Sequence, residues 1–209
     1  MMQHERGMRN RVVHRYDADT LGAPFKITLV DSVTFELDCT TGEELVRIPD
    51  LMGLINAVVR KRVCDQRKLN GDELKFIRRA LDVKAVILAR FLGMSPEHLS
   101  RCEASTKVMS EASEKIFRLF SFISTRIGNA NTLLAAHANA KNVNESSEEE
   151  KKAAEEFMKF FISMKISSVF KLGEPLHYEF QRCVPPEHHC DDFAHDGKWA
   201  ELASFEKAA

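Results

Sequence analysis

The sequence predicts a mainly α-helical protein with a small N-terminal antiparallel β-sheet, organised around a helix-turn-helix. Three observations predict this fold. Residues 71–103 hold two short amphipathic patterns separated by a Gly-Met-Ser turn, residues 25–48 alternate apolar and polar side chains as strands do, and apolar residues recur at helical spacing after residue 110. We expect four segments: a flexible basic arm (1–22), a small sheet plus a packing helix (23–68), a helix-turn-helix domain (69–124), and a C-terminal helical dimerisation or partner-binding region with an irregular tail (125–209).

The N-terminal segments differ in character. Residues 1–22 are charged and contain no apolar run long enough for a signal peptide, so we expect a flexible arm. Residues 25–48 are rich in Val, Thr, Ile and Phe, with a turn signal at 40–42, and predict two or three short antiparallel strands. Because so few strands are not stable alone in water, this sheet must pack on helices or pair across a dimer.

A helix should follow from Asp50 to about Cys64. Asp50 suits its N-cap or first turn, and Arg60-Lys61-Arg62 lies near its C-terminus, where the helix dipole favours positive charge. These three residues either serve only the dipole or also contact phosphate.

The helix-turn-helix is specified by its turn. The pattern predicts helices at 71–81, 84–92 and 96–102, with Gly93 in the left-handed conformation that ends the second helix. Ser95 followed by Pro96 is typical of the N-cap and first residue of a helix. Six apolar residues recur at three- and four-residue spacing and predict the buried face: Val86, Ala89, Phe91, Leu92, Leu99 and Cys102.

The residues around this turn carry a family resemblance. NGDELKFIRRAL at 70–81, LA at 88–89, GMS at 93–95, LSR at 99–101 and then Glu103 resemble a Cro/phage-repressor-type, or xenobiotic-response-element-type, DNA-binding domain. The resemblance implies a lambda-repressor-like helical bundle that regulates transcription. Several members of that family are antitoxin repressors of toxin-antitoxin operons.

Two positions depart from the family pattern. Ala85 stands where many members carry Gln at the start of the second domain helix, so a usual DNA contact is missing. Cys102 stands where Trp or another large apolar residue is common. The smaller side chain should only reduce the packing of the core.

In this motif the third helix, here 96–102, lies in the major groove with its N-terminal residues at base edges. We expect Arg101 and His98 to contact guanine and Glu97 to accept from cytosine, although a carboxylate at that position is equally explained by the helix dipole. Arg78 and Arg79 either contact phosphate or only solvate the first helix. Four more residues are suited to phosphate: Lys84, Ser95, Ser100 and Lys107.

The charge distribution supports nucleic-acid binding. The net charge is only −1, but residues 60–107 hold twelve Lys and Arg against six Asp and Glu, while the remainder holds 18 basic and 25 acidic residues. A basic module in an acidic chain is typical of a DNA-binding protein with a separate partner surface. A helix face that is merely exposed to solvent would show the same local excess of positive charge.

After the domain, residues 110–127 predict a closing helix, whose surplus of apolar residues suggests a dimer seam. Residues 129–140 continue helical, a polar loop spans 141–152, and 147–172 predict a helix with aromatic residues for a core or interface.

The tail is the least regular part of the chain. Residues 174–182 could form a strand, and Trp199 and Phe205 should tuck the chain end back onto the body. The tail also contains five weak zinc candidates, whose spacing does not match paired ligands, so an exposed polar loop is favoured: Cys183, His188, His189, Cys190 and His195.

The motifs that the sequence lacks limit the classes of function. The sequence has no phosphate-binding glycine loop, no Gly-x-Ser-x-Gly elbow and no His-Glu-x-x-His helix, so we expect neither an enzyme nor a cofactor. Five scattered cysteines and no membrane span indicate a cytoplasmic protein. Three hypotheses remain: a homodimeric repressor reading an inverted repeat in double-stranded DNA, an antitoxin that also binds a toxin outside the helix-turn-helix, and an interaction scaffold without DNA binding.

Overall fold

A computed structural model describes residues 10–37, 41–127, 155, 158–167, 175–182 and 199–202. Within these ranges the chain forms strands and helices in the following order: β1 (Asn10–Asp17), a 3-10 helix (Asp19–Leu21), β2 (Lys26–Leu37), β3 (Glu44–Arg47), α1 (Leu51–Cys64), α2 (Gly71–Ala80), α3 (Ala85–Phe91), α4 (Pro96–Glu103), α5 (Glu111–Ile127), β4 (His177–Arg182) and β5 (Trp199–Glu201). The chain divides into two compact units, Met1–Ala57 with Pro175–Ala209, and Val58–Glu174.

The first unit is built on a mixed sheet. Its strand order is β1-β2-β4-β5, and β3 pairs with the C-terminal end of β2. β1 and β3 run antiparallel to β2, β4 runs parallel to it, and β5 is antiparallel to β4. One face of β2 and β4 is apolar and buried together with Trp199: its members are Ile27, Leu29, Tyr178 and Phe180.

The expectation of a mainly helical, lambda-repressor-like bundle with a small antiparallel N-terminal sheet is wrong. The sheet draws strands from both the N-terminal and the C-terminal regions, and it contains a parallel pair, β2 with β4. Parallel pairing requires a long connection between the strands. No local sequence pattern in β2 or β4 indicates that its partner lies about 150 residues away.

The expected flexible arm is also corrected, because residues 10–17 form β1 and residues 19–21 the 3-10 helix. β1 lies at an edge of the sheet among the described strands, and its described side chains are exposed or half-buried. An edge strand rich in charge resembles a disordered terminus in sequence. The expectation of strands within 25–48 is confirmed by β2 and β3.

Asp50 caps α1 as the sequence predicts. Its Oδ1 accepts a hydrogen bond from the backbone N–H of Gly53 at 3.2 Å, and its carbonyl accepts from Leu54 at 3.0 Å and from the indole N–H of Trp199 at 3.1 Å. Trp199 therefore lies against the body of the first unit, as expected, while Phe205 lies outside the described residues.

The second unit contains the helix-turn-helix and its supporting helices. The predicted helices are confirmed by α2 to α5. Their core includes Phe117 and Phe120 from α5, and it also takes in Phe161 and Met164, which follow far along the chain. The helix-turn-helix unit is thus completed by a segment outside the expected 69–124 domain.

The predicted helix at 147–172 is wrong at its C-terminal end. Residues 158–163 are helical, but 164–166 are not, and Ser167 forms a parallel bridge with Arg67. The N–H of Ser167 donates to the carbonyl of Gln66 at 3.0 Å. The expected helix at 129–140 and the loop at 141–152 lie outside the described residues, whereas the possible strand at 174–182 corresponds to β4.

In the described ranges, no helix combines the length and the apolar character needed to cross a membrane.

Candidate nucleic-acid interface

The turn between α3 and α4 has the predicted geometry. Gly93 has a φ of +67°, its N–H donates to the carbonyl of Arg90 at 3.1 Å, and the N–H of Met94 donates to the carbonyl of Ala89 at 2.9 Å. This pair of bonds is a Schellman motif, which satisfies the last carbonyls of α3. The prediction that Gly93 ends the helix is confirmed.

The start of α4 is also capped as predicted. The Ser95 hydroxyl accepts from the backbone N–H of His98 at 3.2 Å, and Pro96 is the first helical residue. Hydrogen bonds from the backbone N–H of Glu97 itself and from Ser95 lower the pKa of the Glu97 carboxyl, with a smaller contribution from the charge of Arg101. The Glu97 carboxylate therefore engages the N-terminus of its own helix.

The buried face between α3 and α4 is largely the predicted one. Ala89, Leu92, Leu99 and Cys102 are buried, and Phe91 is half-buried. Val86 is the exception, because 53% of it is exposed while Leu88 is buried. The first turn of α3 directs Val86 to solvent, so its inclusion in the core was wrong.

The structure places four of the predicted DNA-contacting residues, Glu97, His98, Ser100 and Arg101, on α4 and Ser95 at its N-cap. Lys84 precedes α3 and Lys107 follows α4. All of these residues are exposed except His98, which is half-buried: Lys84, Ser95, Glu97, His98, Ser100, Arg101 and Lys107. Within the described residues, the side chains of Lys84, Arg101 and Lys107 form no hydrogen bond or ion pair. These three cations are therefore available to a ligand.

Arg78, unlike these three cations, has side-chain partners within the protein. Its Nε and Nη2 donate to the two carboxylate oxygens of Glu103 at 2.6 and 2.9 Å, and its Nη1 donates to the carbonyl of Val83 at 3.0 Å. The hydrogen bond to Glu103 raises the pKa of Arg78. Both proposed roles for Arg78, phosphate contact and solvation, are replaced by a structural one, because this fork ties α2 to the last turn of α4. Arg79 is exposed, and its role stays a prediction.

Two buried arginines hold the loop before α2, a role that sequence reasoning missed. The first, Arg62, forms a two-pronged pair with Glu73 at 2.8 and 2.9 Å and donates to the carbonyls of Arg67 and Lys68, both at 3.0 Å. Its side chain is 1% exposed, so it is not a phosphate ligand. Glu73 also accepts from the N–H of Asn70, and the Asn70 side chain accepts from Glu73 in return. That capping box is the sequence signal that marks Glu73.

The second buried arginine is Arg118 on α5. It pairs with Glu114 one turn earlier, and it donates to the carbonyls of Val63, Asp65 and Arg67. The four-residue spacing inside an apolar helix face was the available signal. Together the two arginines fix the backbone that enters the helix-turn-helix.

The first unit presents a second polar cluster, on the opposite face of the sheet around the buried Thr28. The Thr28 hydroxyl donates to Asp17 at 2.7 Å and lies 2.8 Å from Nε2 of His177, which must therefore be the donor to Thr28. Arg15 pairs with Glu179 beside them. These are cross-strand pairs between β1, β2 and β4 with matched charges, and they stabilise the strand register.

The described residues contain no group of three or more His, Cys, Asp or Glu placed to hold a metal ion. The weak zinc candidates of the tail lie outside the described residues: Cys183, His188, His189, Cys190 and His195.

Comparisons of the chain with protein-family models, with curated proteins and with solved structures find no match.

Proposed function

We propose that this protein is a sequence-specific regulator that binds double-stranded DNA and places α4 in the major groove. One observation carries the proposal: Arg101 lies exposed on α4, without a side-chain partner among the described residues, on a helix capped at its N-terminus and anchored at its C-terminus. A helix that reads bases must combine a fixed backbone with free donors.

The chemistry of the exposed residues fits this role. The guanidinium of Arg101 can donate to O6 and N7 of guanine, and His98 can donate to the same edge. Lys84, Lys107 and the Ser100 hydroxyl are suited to phosphate, which positions a protein without specifying sequence. We assign Glu97 to the N-terminus of α4 and not to cytosine, because its carboxylate already has donors there.

A homodimer in the cytoplasm is part of the proposal. Two copies of α4 placed about 34–36 Å apart would meet successive major grooves and read an inverted repeat. The excess of six positive charges over residues 60–107 supports attraction to DNA, while the acidic remainder of the chain limits nonspecific association.

The test is a salt-dependent binding titration of the full chain against its own promoter, with a scrambled duplex of equal length as the control. We expect a preference of at least a thousandfold for the promoter and a steep loss of affinity with rising salt. Equal and weak binding to both duplexes would overturn the proposal.

A second candidate function, an interaction scaffold, is favoured by the surface of α3. Val86 and Ile87 are 53% and 39% exposed, and Ala85 offers no polar group at the start of that helix. An apolar surface beside the turn is suited to a protein partner. Replacement of both residues by Ser should leave promoter binding unchanged if DNA is the ligand of α4 alone, and should abolish partner binding if the scaffold hypothesis is correct.

A further inference from the structure

We propose that Gly71 is a positioning residue for α4. Its missing side chain sets how closely the C-terminal end of α4 packs on α2, and so which base edges the residues of α4 can reach. The proposal rests on the DNA-binding function proposed above.

The contact is unusually close. Gly71 is the first residue of α2 and is buried. A Cβ atom at this position would lie 2.5 Å from the carbonyl oxygen of Cys102, 2.6 Å from that of Glu103 and 2.6 Å from Oγ of Ser105. Two of the three atoms are backbone and cannot rotate away, so any side chain at position 71 must displace the last turn of α4.

A hydrogen bond also joins the first residue of α2 to the segment that follows α4. The N–H of Gly71 donates to Oγ of Ser105 at 3.1 Å. Ser105 has a φ of +57° and follows the end of α4, where its own N–H donates to the carbonyl of Cys102 at 3.1 Å. Gly71 therefore sets the distance between α2 and α4, and its N–H also holds Ser105 in the segment that follows α4.

The displaced turn is the one that carries Arg101. The carbonyl of Arg101 accepts from the N–H and the hydroxyl of Thr106 and from the N–H of Lys107, at 3.0 to 3.1 Å. The backbone of Arg101 is thereby tied to the segment that Gly71 contacts. A shift of several tenths of an ångström there is large against the 2.7–3.2 Å range of a hydrogen bond to a base.

Backbone conformation does not explain a glycine at this position. The φ of Gly71 is outside the left-handed region, unlike that of Gly93. Asn70 already supplies the cap of α2, and glycine is a poor helix former compared with alanine. Close approach to α4 is the remaining reason for the absence of a side chain.

The experiment compares wild-type full-length protein with Gly71→Ala by selection from a pool of randomised DNA duplexes. We expect Gly71→Ala to lose about tenfold in discrimination at the base pair that wild type prefers most strongly, with nonspecific affinity and salt dependence within about twofold of wild type. The matched control is Gly53→Ala, whose Cβ would lie 2.2 Å from the Asp50 carboxylate at the start of α1, in the other unit. This control should keep the wild-type base preference.

A second readout needs no DNA. Backbone amide shifts of Gly71→Ala, measured by NMR, should change along α4 as well as beside position 71. Unchanged α4 shifts, or an unchanged base preference in the folded variant, would overturn the inference. If Gly71→Ala does not fold, Ser105→Gly, which removes the side chain that accepts from the Gly71 N–H and suits the positive φ, should show a smaller loss of discrimination, and none would overturn the inference.

The two proposals fail in different ways. If wild type shows no base preference at all, the DNA-reading function is wrong, and the role of Gly71 in specificity fails with it. If wild type has a preference and Gly71→Ala retains it, only the role of Gly71 is wrong.

Discussion

Arg118 and Glu114 form an ion pair inside the second unit, with side chains that are 0% and 1% exposed. The guanidinium donates to Oε1 of Glu114 from Nε at 3.1 Å and from Nη2 at 2.8 Å, and Leu69 donates its backbone N–H to the same oxygen at 2.9 Å. Lys68 approaches the other oxygen at 3.2 Å. All described buried side-chain nitrogen and oxygen atoms have hydrogen-bond partners, so this polar cluster is fully satisfied.

Breaking this pair should be costly. We expect Arg118→Met to lower the free energy of unfolding by about 3–5 kcal/mol, because Glu114 and the loop carbonyls stay buried and lose the hydrogen bonds that Arg118 donates. Denaturant unfolding followed by circular dichroism measures the change. The matched control is Glu111→Gln, in a pair on the same helix with the same spacing but with Glu111 59% exposed, which should leave the free energy of unfolding close to that of wild type. Equal effects of the two substitutions would contradict the prediction.

Low pH should destabilise the loop before α2, because the carboxyl of Asp65 becomes protonated. Burial alone would raise the pKa of this carboxyl, but hydrogen bonds from the side chain and backbone of Arg67 outweigh it and lower the pKa from 3.8 to about 2. Because the folded-state pKa is depressed, the stabilisation is present above pH 4 and is lost as the pH falls towards 2. We expect Asp65→Asn to be about 2 kcal/mol less stable than wild type at pH 6, and the difference to disappear as the pH falls below 2. A stability difference that does not change with pH would rule this out.

The turn residue Gly93 should resist substitution for a conformational reason only. A Cβ there would meet nothing within 4 Å, but the φ of +67° disfavours any other residue. We expect Gly93→Ala to cost about 1–2 kcal/mol in unfolding free energy. Asp82 ends α2 with a φ of +52°, and Asp82→Gly should stay within about 1 kcal/mol of wild type, since relief of strain offsets the added freedom of the unfolded chain. Thermal or denaturant unfolding of both variants tests the contrast.

Base reading and phosphate contact should separate by mutation. We expect Arg101→Ala to relax specificity at one base pair, at a cost of about 1–3 kcal/mol, and Lys84→Ala to weaken all sequences alike with a salt slope reduced by about one. Binding titrations against the promoter, single-base variants and a scrambled duplex measure both effects. If Arg101→Ala leaves operator affinity and specificity unchanged, α4 is wrongly placed as the reading helix.

Much of the helical structure was predictable because its signals are local. The left-handed Gly93, the Ser95 cap with Pro96 and the Asp50 cap of α1 each depend on residues within about one helical turn. Five of the six residues assigned to the buried face of the helix-turn-helix are buried or half-buried, and Val86 is not. The positions of the candidate DNA-contacting side chains on α4 follow from the same short-range patterns.

Other features depended on residues far apart in the chain. β1 gains its structure from pairing with β2, β4 joins β2 in parallel from the other end of the sequence, and Phe161 and Met164 complete the core of the second unit. Pairings of this kind depend on which surfaces meet after the chain has collapsed, and no window of a few residues contains that information.

The sequence by itself therefore determined α1 to α5, the caps at Asp50 and Ser95 and the turn of the helix-turn-helix, because hydrogen bonds within a few residues specify them. Only the tertiary structure decided that Arg62 and Arg118 are buried anchors, that Arg78 is bound to Glu103, and that Gly71 lies against the end of α4. The role of each of these residues depends on the neighbours that folding brings within a few ångströms. Those neighbours lie from four to more than fifty residues away along the chain.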